Sequence, residues 1–101
     1  MSLQKIQSLC RNGKLRWTRH ILIRMAQRNI TMENVKTAIM SGVIIEDYPN
    51  DYPEPSCLIL GFDNKLPLHI VCGIHDDELW LITAYHPNTD EWYNDFKTRK
   101  E

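Results

Sequence analysis

Leu79-Trp80-Leu81-Ile82-Thr83-Ala84-Tyr85 is apolar at both alternating sets of positions, the pattern of a strand that lies inside a sheet with cover on its two faces. Working back from it, Leu66 to Ile74 and Ser56 to Phe62 read as further strands, joined through the short polar links His75-Asp76-Asp77 and Asp63-Asn64-Lys65. Links that short require antiparallel neighbours. Val43-Ile44-Ile45 opens this β half. Asp47 to Pro55 carries Pro49, Pro53 and Pro55, each of which removes a ladder donor, so a surface loop is expected there.

The front of the chain is helical by periodicity. Leu3, Ile6, Leu9 and Cys10 give one apolar side to a helix over 3–11 that Asn12-Gly13 stops. Thr18 is placed to cap a second helix through about Gln27, with Ile21, Leu22, Met25 and Ala26 as its apolar stripe. Thr31 caps a third, in which Val35, Ala38 and Ile39 point inward, and Gly42 is expected to end it in the left-handed conformation. Beyond the core strand, Thr89 is expected to cap a C-terminal helix that docks through Trp92, Tyr93 and Phe96. The fold class is therefore α+β: N-terminal helices packed on an antiparallel sheet of about four strands with a short C-terminal helix, in one domain over 1–101.

Hydrophobic and charged contents of 43% and 25% are those of a globular chain. A formal charge of −1 excludes the all-round basic surface of a protein that binds long nucleic acid. Charge is unevenly placed, with Arg11, Lys14, Arg16, Arg19, Arg24 and Arg28 in a front free of carboxylates, and Glu46, Asp47, Asp51 and Glu54 in a loop free of cations. The apolar runs are too short to span a bilayer, so no membrane association is expected. Three cysteines, Cys10, Cys57 and Cys72, are an odd number without a pairing motif, which fits a reducing compartment and a cytoplasmic location. A tight turn at Asn64-Lys65 would set Cys57 opposite Cys72, both read as small core residues.

Four-residue spacing puts His20, Arg24 and Arg28 in a row along the second helix. An imidazole that exchanges a proton near neutrality, beside guanidiniums that hold phosphate oxygens, is a set suited to phosphodiester cleavage without a metal. The plain alternative is a solvated helix face. In the sheet, His69 lies within a strand, and Thr83 and Tyr85 share one face of the core strand with His86 beyond them. No histidine or cysteine recurs at a zinc-site spacing, and the four glycines are isolated, so neither metal nor cofactor is expected.

His20 with Arg24 and Arg28-x-Ile30, Gly42 before Val43-Ile44-Ile45-Glu46, Pro67-Leu68-His69-Ile70-Val71, Leu81-Ile82-Thr83-Ala84-Tyr85, and the closing Pro87-Asn88-x-x-Glu91-Trp92 and Phe96-x-x-Arg99 occur in a fixed order. Together they resemble the bacterial domain-of-unknown-function family 4258, from about Trp17 onward. The plan of that family is similar to RelE-like and BrnT-type toxins and to the barnase and colicin-like ribonucleases, which cut RNA with polar residues of a front helix and the sheet and are often silenced by an antitoxin. The resemblance implies a metal-independent endoribonuclease with His20, Arg24, Thr83 and Tyr85 as catalytic residues and Arg28, His69 and Arg19 holding substrate. Its partners would be RNA and an antitoxin-like protein. The competing expectation is a non-catalytic protein-binding module that uses the acidic, tyrosine-rich and proline-rich loop or a free sheet edge.

Overall fold

A computed structural model describes all residues 1–101. Helix α1 (Leu3–Arg11) is followed by a short strand β1 (Leu15–Trp17), helices α2 (Arg19–Arg28) and α3 (Met32–Met40), and strands β2 (Val43–Tyr48), β3 (Ser56–Asp63), β4 (Leu66–His75) and β5 (Glu78–Tyr85). Thr18 and Thr31 cap α2 and α3 as the sequence predicts. Thr18 accepts from the Ile21 amide, and Thr31 and Asn34 close a reciprocal capping box.

The five strands lie in the order β1-β5-β4-β3-β2. Strands β2 to β5 form an antiparallel meander, and β1 adds to β5 in parallel, so the α+β class holds with a mixed sheet of one strand more than the sequence suggests. Leu15-Arg16-Trp17 is too short to show a period, and its pairing depends on β5, more than 60 residues away in the register Leu15 to Leu79. Both tight hairpins turn on two residues of positive φ, Asn64 (51°) and Lys65 (69°), then Asp76 (51°) and Asp77 (57°). These mirror-image turns match the twist of the strands they join and fix register, so Cys57 does stand opposite Cys72.

One face of the sheet carries the helices and the main core, with Ile6, Ile21, Val35, Ile39, Ile59, Ile70, Cys72 and Leu81 fully buried. Residues of the other face, here the outer face, alternate with these. Leu58, Leu60 and His69 are buried there, whereas Ile82 is 36% exposed, so the cover expected over β5 is incomplete.

Two β-bulges interrupt that alternation. Ile45 is left over between the pairs Ile44–Ile59 and Glu46–Leu58, and Ile82 between Leu81–Cys72 and Thr83–Val71. Each extra residue reverses the facing of the side chains after it. Glu46, two residues after core-packed Ile44, turns to the outer face, and so does Tyr85, four residues after buried Leu81.

The sequence-based expectation of a C-terminal helix is wrong. Residues 87–101 form no helix and instead fold into a compact hooked tail, closed by Tyr93 N–H to Thr98 O (2.9 Å) and Lys100 N–H to Glu91 O (2.8 Å), with Trp92 bridged to Arg99. The side-chain oxygens of Asn88 and Asp95 take up the amides of Asp90, Glu91, Lys97 and Thr98, offering the backbone a turn in place of a helix. Gly42 also departs from expectation. It has no positive φ, and glycine is needed for space, because a Cβ there would lie 2.6 Å from an Ile59 methyl and 2.7 Å from the Ala38 carbonyl oxygen.

Gly61 is the tighter contact, with a Cβ placed 1.8 Å from the Ala38 carbonyl oxygen, backbone against backbone. Gly61→Ala should therefore push α3 off β3 and destabilise the chain by about 3 kcal/mol or more, the upper end for overpacking. Gly13→Ala, with φ 72° but nothing within 4 Å, should cost only about 1 kcal/mol. Urea midpoints of the two variants measure the difference, and equal midpoints would show that α3 does not rest on Gly61.

Candidate functional site

The outer face gathers polar side chains from four segments around His69. The imidazole is fully buried, and Nε2 lies 2.8 Å from the Phe96 carbonyl oxygen while Nδ1 lies 3.2 Å from the Tyr85 hydroxyl. Since a carbonyl can only accept, Nε2 carries the proton, and in the neutral ring Nδ1 accepts from Tyr85. Trp92 of the tail meets the ring edge-on at 4.5 Å between centroids. Burial pushes the His69 pKa below its ordinary value, and burial pushes the Tyr85 hydroxyl up.

A second layer adjoins this pair. Arg99 holds Glu46 with two bonds, Nε to Oε2 (2.9 Å) and Nη2 to Oε1 (3.2 Å), and its guanidinium lies 4.6 Å from the centre of the Trp92 ring. Tyr48 donates to Glu46 Oε1 at 2.5 Å, and burial together with that carboxylate pushes the phenol up to about 12. Burial raises the Glu46 carboxyl, but the Arg99 and Tyr48 bonds outweigh it and hold the group below the usual carboxylate range. A neutral imidazole, a phenol and an anchored ion pair therefore share one surface, a set that can relay a proton and bind an anion.

The residues predicted from sequence divide between two sides of the sheet. His69 and Tyr85 are in direct contact, and Arg28 reaches the end of β5, where Nη1 donates to the Ala84 carbonyl oxygen at 2.8 Å and its charge opposes the burial effect on Tyr85. Thr83 stands on the same face of β5, opposite Val71. Arg19, His20 and Arg24 belong to α2, whose Ile21 and Met25 pack into the helix-side core. Arg19 and His20 are exposed, and Arg24 bonds Gln27 at 3.0 Å. His20 and Arg24 thus lie across the sheet from the imidazole of His69, and of the helix row only Arg28 reaches the end of β5.

Sequence reasoning missed Glu46, Tyr48, Trp92 and Arg99. The Glu46-x-Tyr48 spacing places both on one face of a strand and could have drawn notice. Arg99 stands in the closing Phe96-x-x-Arg99 motif, but nothing local gives it a role, because its partner is 53 residues away and the tail has the residue pattern of a helix.

Farther along the outer face, a cleft of about 610 Å³ opens between the acidic loop and the strands, lined by Arg16, Tyr52, Glu54, His75, Glu78 and Trp80. Its polar side chains are largely paired, His75 Nδ1 with Glu54 (2.9 Å) and Arg16 with Glu78 (3.0 Å). The Trp80 indole N–H is buried without an acceptor, and Tyr52 is 95% exposed. No group of three or more His, Cys, Asp or Glu side chains is arranged to hold a metal ion, and no helix is long and apolar enough to cross a membrane.

The tail is held by two titratable groups, and the signs agree. His69 takes up a proton less readily folded than unfolded, so its contribution is complete above its ordinary pKa of 6.5 and declines as pH falls toward the depressed folded value. Glu46 contributes above its ordinary 4.5 and loses this as pH falls through its lowered folded value. Stability should therefore fall in two steps from neutrality into acid, read by thermal unfolding across pH. His69→Gln should remove the upper step, and an unchanged pH profile in that variant would show that His69 does not hold the tail.

The profile of a family described as Domain of unknown function (DUF4258) matches residues 17–86. No curated protein and no solved structure matches the chain. The match runs from β1 to the residue after β5 and contains His69, Tyr85, Glu46 and Arg28, while the tail lies beyond it. With more than half of its length under that profile, the chain belongs to the DUF4258 family.

Proposed function

We propose that the chain is an endoribonuclease whose chemistry lies on the outer face of the sheet. The observation that carries this reading is the contact of His69 with Tyr85 beside the Arg28 guanidinium at the end of β5. Tyr85 would take the proton of a ribose 2′-hydroxyl while passing its own to Nδ1 of His69, which burial keeps neutral and able to accept it. The pair would return that proton to the leaving oxygen. Arg28 would bind the phosphate, and Arg99 could join it once released from Glu46. The resemblance of the helix-then-sheet plan to RelE-like and BrnT-type toxin ribonucleases supports the same substrate and an antitoxin-like protein as partner. Because Trp92 and Phe96 lie over His69, RNA reaches it only when the tail lifts.

The test is cleavage of a fluorescent mixed-sequence RNA in the presence of EDTA. Wild type should cut, and folded His69→Ala should lose at least about 100-fold, the lower range for removal of a general acid or base. Tyr85→Phe and Arg28→Ala should lose rate as well, while His20→Ala should stay near wild type. A large loss in His20→Ala with little in His69→Ala would move the chemistry to the helix row. No cleavage by any form would sink the ribonuclease reading.

A second reading has its own observation, the cleft beneath the acidic loop with Tyr52 projecting into solvent. A protein partner could seat there without any catalysis. Under that reading Tyr52→Ala would weaken partner binding, and no variant would affect RNA.

A further inference from the structure

The core contains a pair of thiols to which the proposed activity gives no role. Cys57 and Cys72 are register partners across β3 and β4, both fully buried, and both point to the helix side with Ile59 and Ile70. Their strands are joined by a two-residue turn whose closing pair is Asp63–Leu66, a hydrogen-bonded position. Hydrogen-bonded and non-hydrogen-bonded pairs alternate from there without interruption, so Cys57–Cys72 falls on a hydrogen-bonded pair. Pro67, which has no N–H to give, falls on a non-hydrogen-bonded pair with Phe62, as this count requires. The Cα separation of such a pair is about 5.5 Å, inside the range of about 4.4 to 6.8 Å that a disulfide spans.

We propose that Cys57 and Cys72 are a disulfide-forming pair that closes reversibly across β3 and β4, with Cys10 left as a free thiol. Burial shields both sulfurs in the folded chain, so the bond forms as the hairpin assembles or while the core is open. The oxidant is a small disulfide such as oxidised glutathione. The Cys57 thiolate attacks one of its sulfurs, breaking the S–S bond and releasing one glutathione thiolate. The Cys72 thiolate then attacks the Cys57 sulfur and releases the second. The two protein thiols are oxidised, one glutathione disulfide is reduced to two glutathiones, and the two protons pass to them. Side chains at a hydrogen-bonded pair stand farther apart than at its neighbours, so closure draws the strands together and leaves a bond that is readily reduced.

The full chain is refolded from denaturant in oxidised and reduced glutathione, then alkylated and examined by intact mass and non-reducing peptide mapping. The expected product is a monomer with a single alkylated cysteine, Cys10, and a Cys57–Cys72 linked peptide that dithiothreitol separates. Its unfolding temperature should exceed that of the reduced chain, by about 5 °C or more if the bridge constrains the unfolded chain as its loop length predicts. Cys10→Ser should still close the bridge and take up no alkylating agent, a result that holds even if Cys72→Ser fails to fold. Three alkylated cysteines after oxidative refolding, a bridge that includes Cys10, or a linked dimer would overturn the proposal.

Discussion

The outer-face group exists because two strands break their own period. Glu46 and Tyr85 would both point into the helix-side core if β2 and β5 alternated without interruption, since each lies an even number of residues from a side chain already packed there. The bulges at Ile45 and Ile82 turn them over. Without that reversal the core would receive a carboxylate and a phenol, and the imidazole of His69 would lose its hydroxyl partner. Burying an unpaired carboxylate costs far more than a bulge disturbs the ladder, so the bulges and the polar site stand or fall together.

Around that group the outer face behaves as a small second core. Leu58, Leu60 and Trp92 are buried there beside His69, yet the contacts that fix the tail are polar and aromatic as well as apolar. The helix-side core is different in kind, a continuous set of aliphatic and sulfur-bearing apolar residues with glycines at Gly42 and Gly61 that let backbone meet backbone. One face is thus suited to holding the fold and the other to presenting chemistry, the division common in sheets covered on one side by helices.

Much of this was legible in the residues. Thr18 and Thr31 announced their helices, the short polar links at Asn64-Lys65 and Asp76-Asp77 announced their hairpins, and Leu66 to Ile74 announced the strand that carries His69. What escaped was set by contacts distant in sequence. Leu15-Arg16-Trp17 becomes a strand only because β5 offers a free edge. In the tail, Thr89 and its following carboxylates resemble a helix start, but Asn88 and Asp95 bind the local amides and Trp92 has a ring to pack on, so tertiary contact overrides helix propensity. Of the expected site residues, the row along α2 came from helical spacing alone, which says nothing about the far side of the sheet. The bulge at Ile82 carries no sequence mark, because isoleucine is as much at home in a regular strand.

The hooked tail is covalently continuous with β5, leaving it just after Tyr85. A segment tethered so close to its own docking surface acts as a competitor at an effective concentration on the order of millimolar. Anything that seeks the His69 face from solution binds only to the fraction of molecules in which the tail is away, and its apparent affinity is reduced by that fraction. Occupancy of the face is therefore governed as much by how firmly Arg99 grips Glu46 as by any attraction between the face and its visitor.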